Sequence, residues 1–579
     1  MTMKTKNILN PKNIKRQNIF QFVILLVIVL MINVIGNFFF TRFDLTTEKR
    51  YSLSENTKEL IKNLDDIVYF RVYLEGDLPA QYKKLRNETR IMLNEFRSYG
   101  KNNIQFEFVD ITSGKDKNAT YNIVEELQHK GIQPIIDYEG SETEMSQKII
   151  IPGAVVSYRE KEVPIQLLVT SLGPESANKE AIINNSIQAL EFKLADAIRK
   201  LTIIHKPRVA LLDGHGELMP VQTAEAERLL SEYYVVDRVQ INGQLNALER
   251  YKAIIVAKPD SAFSDKDKFV IDQFIMKGGS ALWLIDAVYA EMDSLRNANR
   301  LVSFSKRLNL EDMLFKWGVR INTDLLMDIN SAPIPVVTSM IGDQPQYEYF
   351  SWVYFPLILS NQVHPIVKNL NAVKLEFTSS IDTVGGKGIK KTVLLTTSRY
   401  TRKNNTPVTI DLSELYNLPE KKLYNKQNIP VAVLLEGEFE SVFFNRIPPE
   451  IEEDPEINYQ SRSVPTKMIV VSDGDIFKNQ YTFKDGRYMT YPLGYDRYTQ
   501  TTYGNSDFIL NAMSYLVDKN NLLEIRSREL KIRLLDKTRI KEEKLKWQFI
   551  NLILPIFFVG IIGLMLTFIR KKIFTVKIK

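Results

Sequence analysis

The stretch RVALLDGHGE, Arg208 to Glu217, followed by YKAIIVAKPDSAFSDKDKFVIDQFIMKGGSALWLID, Tyr251 to Asp286, decides the fold class. Arg208–Leu212, Tyr251–Ala257 and Ala281–Ile285 are short apolar runs without polar alternation. Such runs predict strands covered on both faces. Between them, Val221–Glu232 and Ser264–Met276 have helical spacing, the second opened by Ser264 and closed by Gly278-Gly279. Buried strands alternating with amphipathic helices predict a parallel sheet with helices on both sides. Lys467–Val471 and a helix over Ser506–Val517 are predicted to return to this sheet, which gives one α/β domain in two pieces, 207–321 and 461–520. The part between, 322–460, is rich in proline and aromatic residues, has strands near Thr392–Thr397 and Val431–Leu435, and reads as a β-rich insertion.

Upstream, Ser54 is placed to cap a helix over Thr57–Leu64. Strand Ile67–Leu74, helix Ala80–Tyr99 and strand Ile104–Ile111 then make a β-α-β unit. A helix near Tyr121–Lys130, strands Lys148–Tyr158 and Glu162–Leu168, and a helix over Lys179–Leu201 follow. The order β-α-β-α-β-β-α across 45–204 predicts a thioredoxin-like α/β domain, with a boundary at His205-Lys206-Pro207. The chain has no cysteine, so it carries no Cys-x-x-Cys chemistry, disulfide, thiolate metal site, thiol nucleophile or lipoprotein anchor.

Both ends point to a membrane. Ile19 to Phe40 is 22 residues without a charge, and Trp547 to Ile569 is an equally uncharged run. At about 1.5 Å per residue each crosses a hydrocarbon core of roughly 30 Å. Asn33, Gly36 and Asn37 in the first run and Asn551, Gly560 and Gly563 in the second are the expected helix-packing positions. The tails 1–18 and 570–579 are basic and free of acids, which predicts that both are cytoplasmic. Against that stands the charged connector 521–546, whose bases outnumber those of the tail beyond the second run. Long domains translocate largely regardless of charge, so the region between the spans is expected outside the cytoplasm. The tails hold ten of the 76 basic residues, leaving 66 against 69 acids, so the soluble region is close to neutral and no nucleic-acid partner is expected.

Four motifs could carry chemistry. Asp213-Gly214-His215-Gly216-Glu217 ends the first strand of the predicted parallel sheet, where open α/β sheets bind ligands. Asp213, His215 and Glu217 could bind a ligand or partner, exchange a proton as a hydrolase, or solvate a tight turn. Ser472-Asp473-Gly474-Asp475 is expected on the same edge, where Asp473 and Asp475 either join the first turn in an acidic pocket or make an ordinary turn. Gly385 to Thr392 imitates a phosphate loop with its glycines and lysines out of register, and is expected to be a hairpin turn. The aromatic run Tyr347 to Phe355 either packs a strand or, with Trp352, offers an interaction surface. No cofactor or metal is expected.

The ordered set FDLTTEKRYSLSENTKELIKNL (Phe43–Leu64), Arg208–Glu217, Tyr251–Asp286, NSDFILNAMSYL (Asn505–Leu516) and the two terminal apolar runs resembles the GldG family, gliding-motility-associated auxiliary proteins of ABC transporters. The resemblance implies an inner-membrane, substrate-binding-like subunit with a periplasmic soluble region. It implies as partners a separate multi-span permease and a cytoplasmic ATPase, with surrounding membrane lipid. It further implies that the split domain is similar to class I glutamine-amidotransferase folds, whose nucleophilic cysteine is missing here. The expectation is therefore a non-catalytic transporter subunit, with a membrane-anchored hydrolase centred on Asp213, His215 and Glu217 as the alternative.

Overall fold

The computed structural model describes residues 19–31, 53–111, 117–141, 144–169, 179–203, 205–342, 344–359, 364–368, 370–386, 388–416, 420–455, 457–518 and 537–575. Ile19–Met31 is an apolar helix, α1, and the remainder of the first expected span, with Asn33, Gly36 and Asn37, lies outside the described residues. The soluble part opens with α2, Glu55–Lys62, capped as expected by the Ser54 hydroxyl accepting from the Thr57 amide.

A four-stranded sheet follows, built from β1 (Val68–Val72), β2 (Ile104–Phe108), β3 (Gly153–Tyr158) and β4 (Lys161–Gln166) in the spatial order β2-β1-β3-β4. β1 runs parallel to β2 and antiparallel to β3, and β3 is antiparallel to β4. The long helix α3, Ala80–Gly100, makes the β1-to-β2 crossover. It packs Leu85, Leu93 and Phe96 into one core with Val68, Phe70 and Val72. Burying each such side chain contributes about 1.5–3 kcal/mol. A separate hairpin, Ile135–Ser141 with Glu144–Ile150, stands where only the start of a strand at Lys148 was expected. The helix expected over Lys179–Leu201 is two, Lys179–Gln188 and α4, Leu190–Thr202.

The larger sheet has seven strands. Five are parallel: β5 (Arg208–Asp213), β6 (Val235–Gln240), β7 (Ala253–Ala257), β8 (Ser280–Leu284) and, after a long excursion, β11 (Thr466–Val471). Two more, β9 (Lys390–Thr396) and β10 (Pro430–Gly437), come from the segment expected to be a separate insertion and extend this sheet antiparallel beyond β11. The order β9-β10-β11-β8-β7-β5-β6 reverses direction of growth between β5 and β7.

Its strands read as continuous apolar runs because both faces are covered. Val209 and Leu211 join a core with α5 (Pro220–Ser231) and α7 (Asn505–Val517), whereas Ala210 and Leu212 join a core with α6 (Asp265–Met276). On the α6 side Trp283 is fully buried against Trp317, ring centroids 6.2 Å apart. The rest of 322–460 forms small antiparallel pairs, including the long ribbon Ser331–Ile341 with Gln344–Ile358.

The Gly385–Thr392 expectation needs correcting. The flanking strands Ile381–Thr383 and β9 pair with different partners, so the glycines make a connection and not a hairpin. The chain then enters a strand and not a helix, so no phosphate loop forms there.

A single helix, α8, Lys537–Thr575, contains an apolar stretch Lys546–Ile569 of 24 residues with none of it buried. Pro555 lies inside it, and a Cβ at Gly560 or Gly563 would meet nothing within 4 Å beyond the helix's own backbone.

Candidate functional site

The carboxyl ends of β5, β7, β8 and β11 form one edge of the larger sheet, and the turns that leave it bring two polar constellations together. The first is centred on His215. Its Nδ1 lies 3.2 Å from Glu217 Oε1, its Nε2 lies 3.2 Å from Asp267 Oδ2, and its ring stacks on Phe263 at 3.7 Å. Glu217 also accepts from the His215 amide at 2.6 Å, while Asp267 accepts from the Ser264 hydroxyl and the Gly243 amide. Burial opposes a charged imidazole, but Glu217 and Asp267 outweigh it and hold its pKa above the ordinary value. Asp267 is held low despite its own burial, by the Gly243 amide, the Ser264 hydroxyl and His215.

This geometry ties the β5 turn to the first turn of α6. The His215 carbonyl accepts from the Asp260 and Ser261 amides at 2.9 and 2.8 Å, and the Leu218 amide reaches the Ala257 carbonyl. The crevice between β5 and β7, where ligands bind in open sheets of this kind, is thus bridged by backbone. Asp213 stays apart from His215. It accepts from the Gly214 amide and faces Arg238 at 3.9 Å.

The second constellation surrounds Lys258, which follows β7 and is 5% exposed. Its ammonium lies 3.2 Å from Asp286 Oδ2 and bonds Asp475 Oδ2. Asp286 accepts from the Gly474 amide at 2.6 Å, and Asp473 accepts from the Asp475 and Glu376 amides. Oxygens of Asp286, Asp473 and Asp475 lie within 4.8 Å of one another, the spacing of a cation site, and the Lys258 ammonium supplies the positive charge.

The charge states follow from this crowding. Burial works against the Lys258 ammonium, yet Asp286 and Asp475 raise its pKa well above the usual lysine range. Asp475 is held low against its burial by Lys258 and Lys478. Asp473 is pushed well up by burial and by repulsion from Asp475 and Asp286. Lys258 adopts φ +55°, and a Cβ on Gly474 would fall 2.4 Å from Lys258 Cβ, so the turn requires glycine.

The two acidic turns therefore share an edge without merging. The loop 258–261 lies between them, sending Lys258 to one and the Asp260 and Ser261 amides to the other. Lys258, Asp286 and Asp267 were missed in the sequence because they become polar partners only through contacts up to 217 residues away. The available signal was a lysine following a fully apolar strand beside the acidic Ser472–Asp475 turn.

Beside Asp475 opens a cleft of about 320 Å³ lined by Phe355, Lys374, Glu376, Lys478, Tyr481 and Tyr498, among others. Asp475 Oδ1 is buried without a hydrogen bond, 3.6 Å from Lys478 Nζ. Trp352, expected as a possible contact residue, is instead 1% exposed and packs on Tyr354 in the core of the insertion. Tyr347 and Tyr349 of the same strand are exposed, and the Tyr349 hydroxyl donates to the Tyr498 carbonyl.

Residues 206–512 match the family described as an ABC-type uncharacterized transport system, and residues 47–157 match a domain of unknown function. An uncharacterized protein of Borreliella burgdorferi (strain ATCC 35210 / DSM 4680 / CIP 102532 / B31) is 23% identical over 417 residues, covering 69% of this chain and 74% of the relative. Among solved structures, the mmIFT52 N-terminal domain is 13% identical with a TM-score of 0.30, covering 54% of this chain and 97% of that one. An exo-beta-1,4-mannosidase, Op5Man5 from Opitutaceae bacterium strain TAV5, is 12% identical with a TM-score of 0.18, covering 68% and 46%.

Proposed function

The chain belongs to the ABC-type uncharacterized transport system family, and from that membership we propose that it is a non-catalytic auxiliary subunit which presents a binding region outside the cytoplasmic membrane and couples it to a separate permease and ATPase. The observation that carries the non-catalytic half is the engagement of both His215 nitrogens by carboxylates. A hydrolase at this turn needs one imidazole nitrogen free to take a proton, and Asp213 stands outside the arrangement. The turns of the sheet edge are braced scaffold, and the cleft beside Asp475 with its neighbouring tyrosines is the surface next to them open to a ligand or partner.

The order β2-β1-β3-β4 with an antiparallel β3 supports a thioredoxin-like domain, and five parallel strands growing both ways from β5 support a Rossmann-like one. The apolar stretch of α8 and the apolar α1 support a two-pass protein of the bacterial inner membrane. With both basic tails inside, the soluble region is periplasmic. The role in gliding motility follows from the ordered sequence resemblance. Solubilising native membranes and purifying the intact chain tests the assignment: a multi-span permease and an ATPase copurify in fixed ratio. Recovery of the chain alone from gently solubilised membranes would overturn it.

A further inference from the structure

The soluble region is joined to its two apolar ends by two leads, one arriving at Leu53 and Ser54 and one departing after Val517 and Asp518. They are 463 residues apart in number between Ser54 and Val517, yet Asn56 and Glu59 line the same cleft of about 400 Å³ as Val517 and Asp518. A single helix, α4, holds both. Near its start the buried Glu191 carboxylate accepts from the Ser54 amide at 2.7 Å and the Thr57 hydroxyl at 2.9 Å. Near its end the Arg199 guanidinium bonds Asp518 and reaches the Ser514 hydroxyl at 3.3 Å.

Glu191 and Arg199 are eight residues apart, about 12 Å along the helix axis. Between and beside them, Asp196 accepts from the Tyr233 hydroxyl at 2.7 Å, and Lys200 pairs with Glu232 at 2.8 Å. The same helix buries Leu194, Ala197 and Ile198 in the core of the four-stranded sheet. One rigid rod thus touches the arriving lead, the departing lead, the core of the four-stranded sheet and the α5-to-β6 connection of the larger sheet.

We propose that α4 is a strut that couples the two membrane leads, so that a displacement of one is carried to the other and to the junction of the two sheets. Its function in transport rests on the auxiliary-subunit reading, but the mechanical coupling does not. The Glu191 end is the fixed anchor, being buried under the cap of α2. The Arg199 end is the releasable latch, because Asp518, Ser514 and the Tyr234 hydroxyl surround it at the rim of the cleft.

Hydrogen exchange on the full chain in lipid nanodiscs, without partners, tests the strut. Arg199→Met is expected to speed exchange about tenfold or more in Ser514–Asp518, as losing a charge-assisted hydrogen bond implies, and also to speed it measurably in Glu55–Lys62, whose Asn56 and Glu59 line the same cleft. Glu191→Gln is expected to produce the reciprocal pattern. Asp518→Asn removes the latch without altering α4 and must loosen Glu55–Lys62 as well, which covers the case in which a helix variant unfolds. Arg71→Ala, which breaks a remote surface pair with Glu107, leaves both leads unchanged. Changes confined to the lead that each variant touches would overturn the coupling while leaving the transporter assignment standing.

Discussion

Replacing Lys258 with Met is the sharpest test of the braced sheet edge. The ammonium is the positive charge bonded to both Asp286 and Asp475, and the side chain is almost wholly buried. Removing the ammonium leaves the two buried carboxylates with only the longer Lys478 contact to Asp475, and breaking a buried pair in this way costs ~3–5 kcal/mol. In a region of this size that lowers the melting temperature by about 5 °C. The loss carries a pH signature. In the wild type Asp475 is held low, so its stabilising contribution is present above the unfolded carboxylate value and lost only as pH falls through the folded one. Without the ammonium, burial and mutual repulsion raise both carboxylates, and the penalty grows as pH rises above the unfolded value. Thermal melts of the full chain in detergent between pH 5 and 8 should show Lys258→Met recovering stability in acid much more steeply than wild type. The double variant Lys258→Met/Asp475→Asn should regain part of the loss at pH 8. A single-variant cost below ~1 kcal/mol at pH 8, or a flat pH profile, would refute the reasoning.

Three further outcomes follow from the same geometry. The His215 pKa is raised in the folded state, so its contribution is fully present below the unfolded value near 6.5 and fades as pH rises through the folded one; His215→Gln should remove that slope from the melting profile, and an unchanged slope would place the titration elsewhere. Gly474→Ala sets a methyl against Lys258 Cβ and Cα and should cost ~1–3 kcal/mol by denaturant unfolding, whereas Gly342→Ala, with open space around it, tests strain from its positive φ alone and should cost less. Trp352→Ala should cost ~3–5 kcal/mol as a core truncation, and Tyr347→Ala should leave stability within about 0.5 kcal/mol; the reverse ranking would mean that Trp352 is the surface residue.

Strands that are buried on both faces announced themselves in the sequence, because Val209–Leu212 and Ala253–Ala257 had no position at which water would tolerate a polar side chain better than the core. β6 did not, since it is an edge strand whose Asp237 and Arg238 pair with Arg208 and Glu227 at the surface. The hairpin Ile135–Ile150 was hidden for a different reason, since its Asp137 is a buried carboxylate that pairs with Lys179. β9 and β10 were visible as strands but not as members of the larger sheet, because strand membership depends on pairing across the chain that separates Thr396 from Pro430 and Gly437 from Thr466, which local pattern does not encode. The His215 turn was conspicuous from its glycines and polar residues. Its meaning depended on Asp267, which in the sequence is only the third residue of a capped helix. Lys258 left the weakest trace, since a lysine after a strand ordinarily reaches solvent and only the return of β11 surrounds it with carboxylates.

The claim that this chain couples an external binding region to a transporter is tested most directly by ATP turnover in proteoliposomes holding the copurifying permease and ATPase, measured with and without the full chain. The account predicts no turnover by the chain alone, a several-fold change in the rate of the permease and ATPase when it is added, and loss of that change with Arg199→Met. A rate that is the same with and without a chain that has demonstrably joined the complex would contradict it.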